Sequence, residues 1–275
     1  MGRFKKDEIT KIVEKLKEAG GVFEAPPSHA IYRVRLGNGV VTIYGTGSVV
    51  FGGKDAKKVK GIVDDVLLST LDKTSRIGCD EAGKGEYIGP LVAAAVFCDE
   101  ECVEKLVKFG VEDSKKLSDK KLFYLVEKIK EIAHGKVKVL MPEEYNRLYA
   151  KIGNLNKLLD TVYCELLESI LKKYSVKKVI VDKYGPSLEK KLRKFIPDNI
   201  EIVVVEKAES DPVVAAASII ARGERLKKMD FLESRYGLTL PRGNKPEEIR
   251  DFLNVVPSEL LPKLVKLHFK MNIGE

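Results

Sequence analysis

The hydrophobic positions follow two different patterns along the chain. Between residues 9 and 16 they recur at i, i+3, i+4 and i+7, which is typical of an amphipathic helix. Residues 30–36 alternate between polar and apolar, and the Asn38-Gly39 step that follows favours a hairpin. This part of the chain therefore predicts a small α+β domain over residues 1–71. Its predicted elements are helices over 5–19 and 54–71 and strands over 30–36, 40–44 and 48–51.

The pattern changes after a polar linker at residues 69–75. Short continuous apolar runs now alternate with longer helical patterns, which predicts an α/β domain over residues 76–275. The predicted strands are one that contains Asp80 and others over 88–97, 136–141, 178–182 and 201–206. The predicted helices cover 100–109, 119–133, 154–174, 187–195 and 212–229, with further helical segments at both 142–146 and the C-terminus.

Composition narrows the class of protein. The 275 residues carry 49 Lys and Arg against 41 Asp and Glu, so the net charge is +8 and an anionic partner is favoured. No apolar run reaches the length of a membrane span, and the N-terminus lacks the apolar core of a signal peptide. We therefore expect a cytoplasmic, monomeric protein with no membrane partner. The absence of glutamine beside abundant Lys and Glu favours a thermophilic source.

The four cysteines form no C-x-x-C pair, and the chain has three histidines. Both observations disfavour a zinc site. We expect reduced, mostly buried thiols.

The candidate chemistry begins at two adjacent acids, Asp80 and Glu81, which a glycine-rich turn at 83–85 follows at once. Hard oxygen ligands beside an open backbone are what a Mg²⁺-assisted phosphate reaction needs. Neighbouring side chains on a strand point to opposite faces of the sheet. The two acids could therefore share a metal only if Asp80 points into the site while Glu81 contributes from the far side of the strand or through its backbone. The alternative is a turn with two solvated acids.

Two further acids lie at distant strand ends. Asp182 is the last residue of an apolar strand. Open α/β sheets place ligand-binding groups at the carboxyl ends of their strands. The alternative is that Asp182 has a structural role as a helix cap. Glu209 follows the strand at 201–206, and its neighbour Asp211 competes with it, because a residue before a proline is a natural N-cap. Four clustered carboxylates are unfavourable unless divalent cations neutralise them. Two metal ions could activate water and stabilise the departing oxygen of a phosphodiester.

These acids stand in motifs that resemble those of the type 2 ribonucleases H. The motifs are Asp-Glu-Ala-Gly-Lys-Gly at 80–85, Ile-Gly-Pro-Leu-Val at 88–92, Asp-Ser-Lys-Lys-Leu-Ser at 113–118, Lys-Ala-Glu-Ser at 207–210 and Ala-Ala-Ala-Ser-Ile-Ile-Ala-Arg at 215–222. Pro-Glu-Glu-Tyr-Asn at 142–146, Gly-Asn-Leu-Asn-Lys-Leu-Leu at 153–159 and Glu209 are similar to the ribonuclease HIII branch. The run at 41–53 resembles the TATA-binding-protein-like domain that precedes the catalytic domain in that branch.

The resemblance implies an RNase H fold and hydrolysis of the RNA strand of RNA–DNA hybrids, leaving 5′-phosphate and 3′-hydroxyl ends with Mg²⁺ or Mn²⁺. It implies metal ligation and catalysis by Asp80, Glu81, Asp182 and Glu209. It also implies that Gly83, Lys84 and Gly85 read a ribose 2′-hydroxyl through the backbone, and that Ser114, Lys115 and Lys116 contact phosphates.

Four more residues are candidates for substrate contacts. Asn154 and Asn156 carry amides suited to sugar or backbone contacts, and helix capping is an equal explanation. Arg33 and Arg35 share one face of a predicted strand in the basic N-terminal domain. We expect that domain to bind substrate rather than to do chemistry.

Two other functions stay open from the sequence. The first is a non-catalytic hybrid-binding module, against which the intact acids argue, since clustered negative charge would weaken phosphate binding. The second is another two-metal nuclease, or ribonuclease HII-like cleavage at single embedded ribonucleotides, against which the HIII-like motifs argue.

Overall fold

The computed structural model describes residues 4–111, 114, 117–185 and 188–269. The chain divides into two compact units, Met1–Lys73 and Thr74–Glu275. This division lies between the predicted domain boundaries at 71 and 76. No helix in the described parts of the chain combines the length and the hydropathy that crossing a bilayer requires.

The first unit packs two helices on one face of a four-stranded antiparallel sheet with the order β1-β2-β3-β4. Its elements are α1 (Lys6–Glu18), β1 (Val22–Glu24), β2 (Ala30–Leu36), β3 (Gly39–Tyr44), β4 (Val49–Gly53) and α2 (Ala56–Thr70). The alternation in β2 buries Val34 and Leu36 against the helices, while Arg33 and Arg35 lie on the opposite face.

The second unit is built on a five-stranded sheet with the order β7-β6-β5-β8-β9. Its strands are β5 (Arg76–Ala82), β6 (Leu91–Cys98), β7 (His134–Leu140), β8 (Lys178–Asp182) and β9 (Glu201–Val205). Strands β5, β8 and β9 pair in parallel, whereas β6 pairs antiparallel with both of its neighbours, β5 and β7. The carboxyl ends of β5 and β8 therefore meet at one edge of the sheet, and both ends carry acids.

Helices cover both faces of this sheet. They are α3 (Glu100–Lys108), α4 (Asp119–Ile132), α5 (Pro142–Ile152), α6 (Leu155–Leu171), α7 (Leu188–Leu192), α8 (Pro212–Tyr236), α9 (Pro246–Val255) and α10 (Leu261–Leu264). The central helix α8 lies against β5, where a Cβ atom on Gly78 would come within 2.4 Å of the Val213 and Val214 backbone. Only glycine allows this approach, which places the start of α8 beside the acidic end of β5.

Several predicted boundaries were wrong. Helix α8 extends seven residues beyond Met229 and ends at Tyr236, where Gly237 caps it in a left-handed conformation (φ 66°). The apolar run at 88–97 becomes a strand only at Leu91, while Ile88 forms an isolated bridge with Val265. Strand β1 was not predicted, because three residues beside glycines carry no periodic signal.

The expectation of reduced thiols was wrong for two cysteines. Cys98, at the end of β6, and Cys102, in the first turns of α3, form a disulfide with their Cα atoms 5.1 Å apart. Cys79 is a buried free thiol, as predicted, and Cys164 is half-buried and free.

Candidate active site

A cleft of about 650 Å³ lies in the second unit at the carboxyl ends of β5 and β8. It brings together acids that the sequence separates by more than a hundred residues. The four candidate acids Asp80, Glu81, Asp182 and Glu209 are all among its lining residues. Its other lining residues include the glycine turn at 83–85, Ser114, Ser218 and Arg222.

Asp80 is partly buried near the end of β5. Burial raises its pKa to about 7, and the neighbouring charges of Glu81 and Asp182 add to the rise. A hydrogen bond from Ser218 on α8 and one from the Glu81 backbone N–H (2.8 Å) act in the opposite direction, because they stabilise the carboxylate. Asp80 is thus in the kind of crowded acidic environment that a divalent cation relieves.

Glu81 is held from two sides. The hydroxyl of Tyr163, a buried residue of α6, donates a hydrogen bond to Oε2, and the Lys84 ammonium lies 3.4 Å from Oε1. Burial and the adjacent Glu81 carboxylate raise the pKa of Tyr163, so this phenol stays a donor. Sequence patterns gave no signal for Tyr163, because a tyrosine in an apolar helix is usually a packing residue.

The remaining two acids converge from β8 and from a single 3₁₀ turn at Ala208–Ser210. The Ala208 backbone N–H donates to Asp182 Oδ1 at 3.0 Å, which ties this turn to the end of β8. Lys207, just before the turn, adopts a left-handed conformation (φ 59°) that non-glycine residues seldom use. This backbone places Glu209 on the wall of the cleft.

Asp211 has a different environment. Its carboxylate caps α8 by accepting from the backbone N–H groups of Val213 (2.8 Å) and Val214 (3.4 Å). It also pairs with Arg76 at 2.6 Å. Within the described residues it is not among those that line the cleft. This is the N-cap role that the sequence left open.

The acids suit a hard divalent cation by their chemistry, since carboxylate oxygens are the ligands that Mg²⁺ and Mn²⁺ prefer. Among the residues that the structure describes, however, no three His, Cys, Asp or Glu side chains form a ready-made ion cage. Tyr163 and Lys84 contact the carboxylate of Glu81, and the Ala208 N–H contacts that of Asp182. The donor set and the crowding at Asp80 fit a metal, while Glu81 would have to exchange a partner.

The glycine turn presents backbone on one side and is anchored on the other. Gly83 is left-handed (φ 83°), and a Cβ atom there would lie 2.3 Å from the Pro90 carbonyl oxygen. Gly85, in contrast, is exposed, and a Cβ atom there would meet nothing within 4 Å. The turn thus has open backbone where a ligand could approach.

Three C-terminal side chains brace this turn. Asn244 accepts from the Tyr87 N–H (3.0 Å) and donates to the Gly85 carbonyl. Arg225 pairs with Glu86 at 2.6 Å, and Lys266 donates to the Glu86 carbonyl at 2.6 Å. Burial, with the nearby Arg225 charge, lowers the pKa of Lys266 to about 7. The sequence did not predict these contacts, because residues more than 130 positions apart form them.

The other predicted substrate contacts have mixed positions. Ser114 lines the cleft, but it is 3% exposed and its hydroxyl hydrogen-bonds Ser218 at 2.8 Å, which favours a structural link over phosphate contact. Lys115 and Lys116 lie outside the described residues. Asn154 caps α6 by accepting from the Lys157 N–H at 3.0 Å. The Asn156 amide faces the loop after β8, since a Cβ atom on Gly185 would lie 3.0 Å from it.

Arg33 and Arg35 belong to the first unit and share one partner. Glu24 on the neighbouring strand pairs with Arg33 at 3.0 Å and with Arg35 at 2.5 Å. The two guanidinium groups therefore lie side by side on the sheet face. The single negative charge of Glu24 balances one of their two positive charges.

Comparison with known proteins identifies the family. A family model described as Ribonuclease HII matches residues 77–272, and the chain therefore belongs to the ribonuclease HII family. Ribonuclease HIII of Chlamydia felis is 34% identical over 272 residues, which cover 94% of this chain and 90% of that protein.

Two solved structures are similar over the whole chain. The crystal structure of Aquifex aeolicus RNase H3 is 30% identical and covers 98% of this chain and 99% of its own, with a TM-score of 0.61. Bst-RNase HIII in complex with Mn²⁺ is 27% identical and covers 98% of this chain and 94% of its own, with a TM-score of 0.66. The predicted resemblance and the RNase H fold with a preceding α+β domain are confirmed.

Proposed function

We propose that this protein is a metal-dependent ribonuclease H that cleaves the RNA strand of RNA–DNA hybrids internally, leaving 5′-phosphate and 3′-hydroxyl ends. The observation that carries the proposal is the meeting of four carboxylates from three chain-distant segments in one cleft, with the exposed backbone of Gly85 among its lining residues. Similarity to proteins named ribonuclease HIII, one of them solved with Mn²⁺, supports it.

In this proposal Asp80, Glu81, Asp182 and Glu209 hold Mg²⁺ or Mn²⁺. The bound ions supply an activated water and stabilise the departing ribose oxygen. The protein orients the ligands beforehand: the Tyr163 hydroxyl fixes Glu81, the Ala208 N–H fixes Asp182, and Ser218 fixes Asp80. Such supporting contacts reduce the reorganisation that metal binding requires.

Selection of RNA is assigned to the backbone of the glycine turn. The 2′-hydroxyl is both a donor and an acceptor, and it distinguishes RNA from DNA at a given site. Gly85 presents backbone without a side chain, and Asn244 fixes its carbonyl. Arg33 and Arg35 in the basic first unit are assigned to phosphate contacts that add affinity without reading sequence.

A panel of four duplexes of one sequence tests this function. The panel contains a uniform RNA–DNA hybrid, a DNA duplex with one embedded ribonucleotide, an RNA duplex and a DNA duplex. We expect efficient cleavage of the uniform hybrid alone, dependent on Mg²⁺ or Mn²⁺. Cleavage mainly at the single ribonucleotide would favour the ribonuclease HII-like alternative, and hybrid binding without cleavage in either metal would favour the binding module. A monomeric, cytoplasmic enzyme from a thermophile remains our expectation.

A further inference from the structure

Lys84 occupies an unusual place for the side chain of a glycine turn. Its ammonium does not extend into solvent but lies 3.4 Å from Glu81 Oε1, and the side chains of Lys84 and Glu81 are 29% and 10% exposed. The left-handed Gly83 (φ 83°) reverses the chain between the two residues. The pair is therefore partly shielded from water, where an ion pair is stronger than at an open surface.

A second contact holds the same ammonium. It lies over the ring of Tyr184, 4.7 Å from the ring centroid, at a distance typical of a cation–π interaction. The ring is itself fixed, because the Tyr184 hydroxyl donates to the buried Asp160 at 2.8 Å and the ring stacks on Tyr163 at 5.6 Å. Glu81 and a rigid aromatic face thus form a prepared cation position.

The three arginines that line the cleft pair with acids outside the cluster of Asp80, Glu81, Asp182 and Glu209. Among the described lining residues, Arg222 pairs with Asp119, Arg225 with Glu86, and Arg242 with Asp230 and Glu233. Within that part of the chain, Lys84 is the lining cation that an ion pair joins to one of the four clustered acids.

We propose that Lys84 is the resident counter-ion of Glu81, and that a divalent cation and the Lys84 ammonium compete for this carboxylate. Without metal the ammonium offsets the repulsion among the acids. When a metal ion binds, Glu81 exchanges its partner, and Lys84 is released on the turn that faces the substrate. The inference rests on the proposed metal-dependent function.

The test is calorimetric titration of the metal-stripped, full-length protein with Mn²⁺. Lys84→Met removes the competing charge and keeps a side chain of similar length. We expect Mn²⁺ to bind this variant about three- to tenfold more tightly than the wild type, the size expected for losing a partly buried ion pair. Lys84→Met should also lower the Tm in EDTA, with Mn²⁺ restoring the difference.

Two further variants make the result specific. Lys138→Met removes the same charge from an ion pair with Glu165 at 3.6 Å, at 38% exposure, and should leave Mn²⁺ affinity unchanged. Tyr184→Leu removes the aromatic face and should tighten Mn²⁺ binding less than Lys84→Met does, whereas Tyr184→Phe should not change it. Equal tightening in the Lys84 and Lys138 variants would reduce the effect to net charge and overturn the proposal.

Unchanged or weaker Mn²⁺ binding by Lys84→Met would also overturn it, because Lys84 would then not compete with the metal. Failure of the proposed function has a different signature. In that case Mn²⁺ binding to the wild type would be absent, or Asp80→Asn would not weaken it.

Discussion

Asp211 and Arg76 form an ion pair 2.6 Å long that joins the N-terminus of α8 to the first residue of β5. Arg76 is only 3% exposed, and the Asp211 carboxylate balances its buried charge. The carboxylate is thereby committed to the fold, and Glu209 rather than Asp211 is available to the cleft.

This relationship separates the two candidate fourth acids. Glu209→Gln should lower turnover by orders of magnitude at saturating metal with little change in Tm. Asp211→Asn keeps a good N-cap residue but weakens the pairing of Arg76, so it should cost roughly 1–3 kcal/mol of stability while the folded protein retains its turnover. Steady-state kinetics and thermal unfolding of both variants show which of the two acids is needed for cleavage and which for stability. If the Asp211 variant alone loses cleavage while folded, the assignment of Glu209 is wrong.

The raised pKa of Asp80 predicts a pH-dependent gain in stability for Asp80→Asn in EDTA. The folded-state pKa of about 7 lies above the ordinary value of 3.8, so ionisation of Asp80 opposes folding. This cost is absent below about pH 4, grows between about pH 4 and 7, and is complete above that range. We expect Asp80→Asn to be more stable by up to roughly 4 kcal/mol at pH 8 and to match the wild type near pH 4.

Denaturant unfolding at several pH values measures this difference. Asp198→Asn, at an exposed position in the loop before β9, is the control for removing one negative charge. A gain of the same size in both variants, or a gain that persists at pH 4, would contradict the explanation by burial and crowding.

Alanine substitution should affect stability at one glycine of the turn and substrate binding at the other. Gly83→Ala places a left-handed residue against the Pro90 carbonyl and should cost at least about 2 kcal/mol of stability. Gly85→Ala adds a methyl group in open space, so stability should hold. If the Gly85 backbone approaches the ribose, the added methyl should raise KM for the hybrid severalfold. An unchanged KM would argue that the substrate does not approach the turn at Gly85.

The arginine pair on the first unit makes a separate prediction about binding. If Arg33 and Arg35 contact phosphates, replacing both by alanine should weaken hybrid binding and lower the slope of log K against log salt by about 1–2. Glu24→Ala releases both guanidinium groups and should strengthen binding at low salt. Fluorescence anisotropy over a range of NaCl concentrations measures both effects.

Removal of residues 1–71 should act in the same direction, chiefly by raising KM, while kcat at saturation changes much less. A deletion that leaves KM and the salt slope unchanged would show that this unit does not bind substrate. A folded catalytic unit without turnover would mean that the first unit helps to form the active site.

Sequence patterns predicted the local elements best. Strand β8 was predicted with its observed bounds. A short run of β-branched residues between two charged residues favours a buried strand. The end of α8 was not, since its buried faces leave little amphipathic signal.

The site divides in the same way. The meeting of Asp80, Glu81, Asp182 and Glu209 in one cleft could be predicted, because each stands at or shortly after the end of a predicted strand. The residues that hold them, such as Tyr163 on Glu81 and Asn244 on Gly85, could not, since such contacts depend on tertiary packing and leave no local pattern.

The central claim is that metal-dependent hydrolysis of RNA in a hybrid depends on the acidic cluster at the end of β5. The most direct measurement is the single-turnover rate of Asp80→Asn on a uniform RNA–DNA hybrid at saturating Mg²⁺ or Mn²⁺, beside the wild type and Asp198→Asn. We predict a loss of several orders of magnitude for Asp80→Asn, with the fold intact and the control fully active. Wild-type rates in the Asp80→Asn protein would contradict the proposed mechanism.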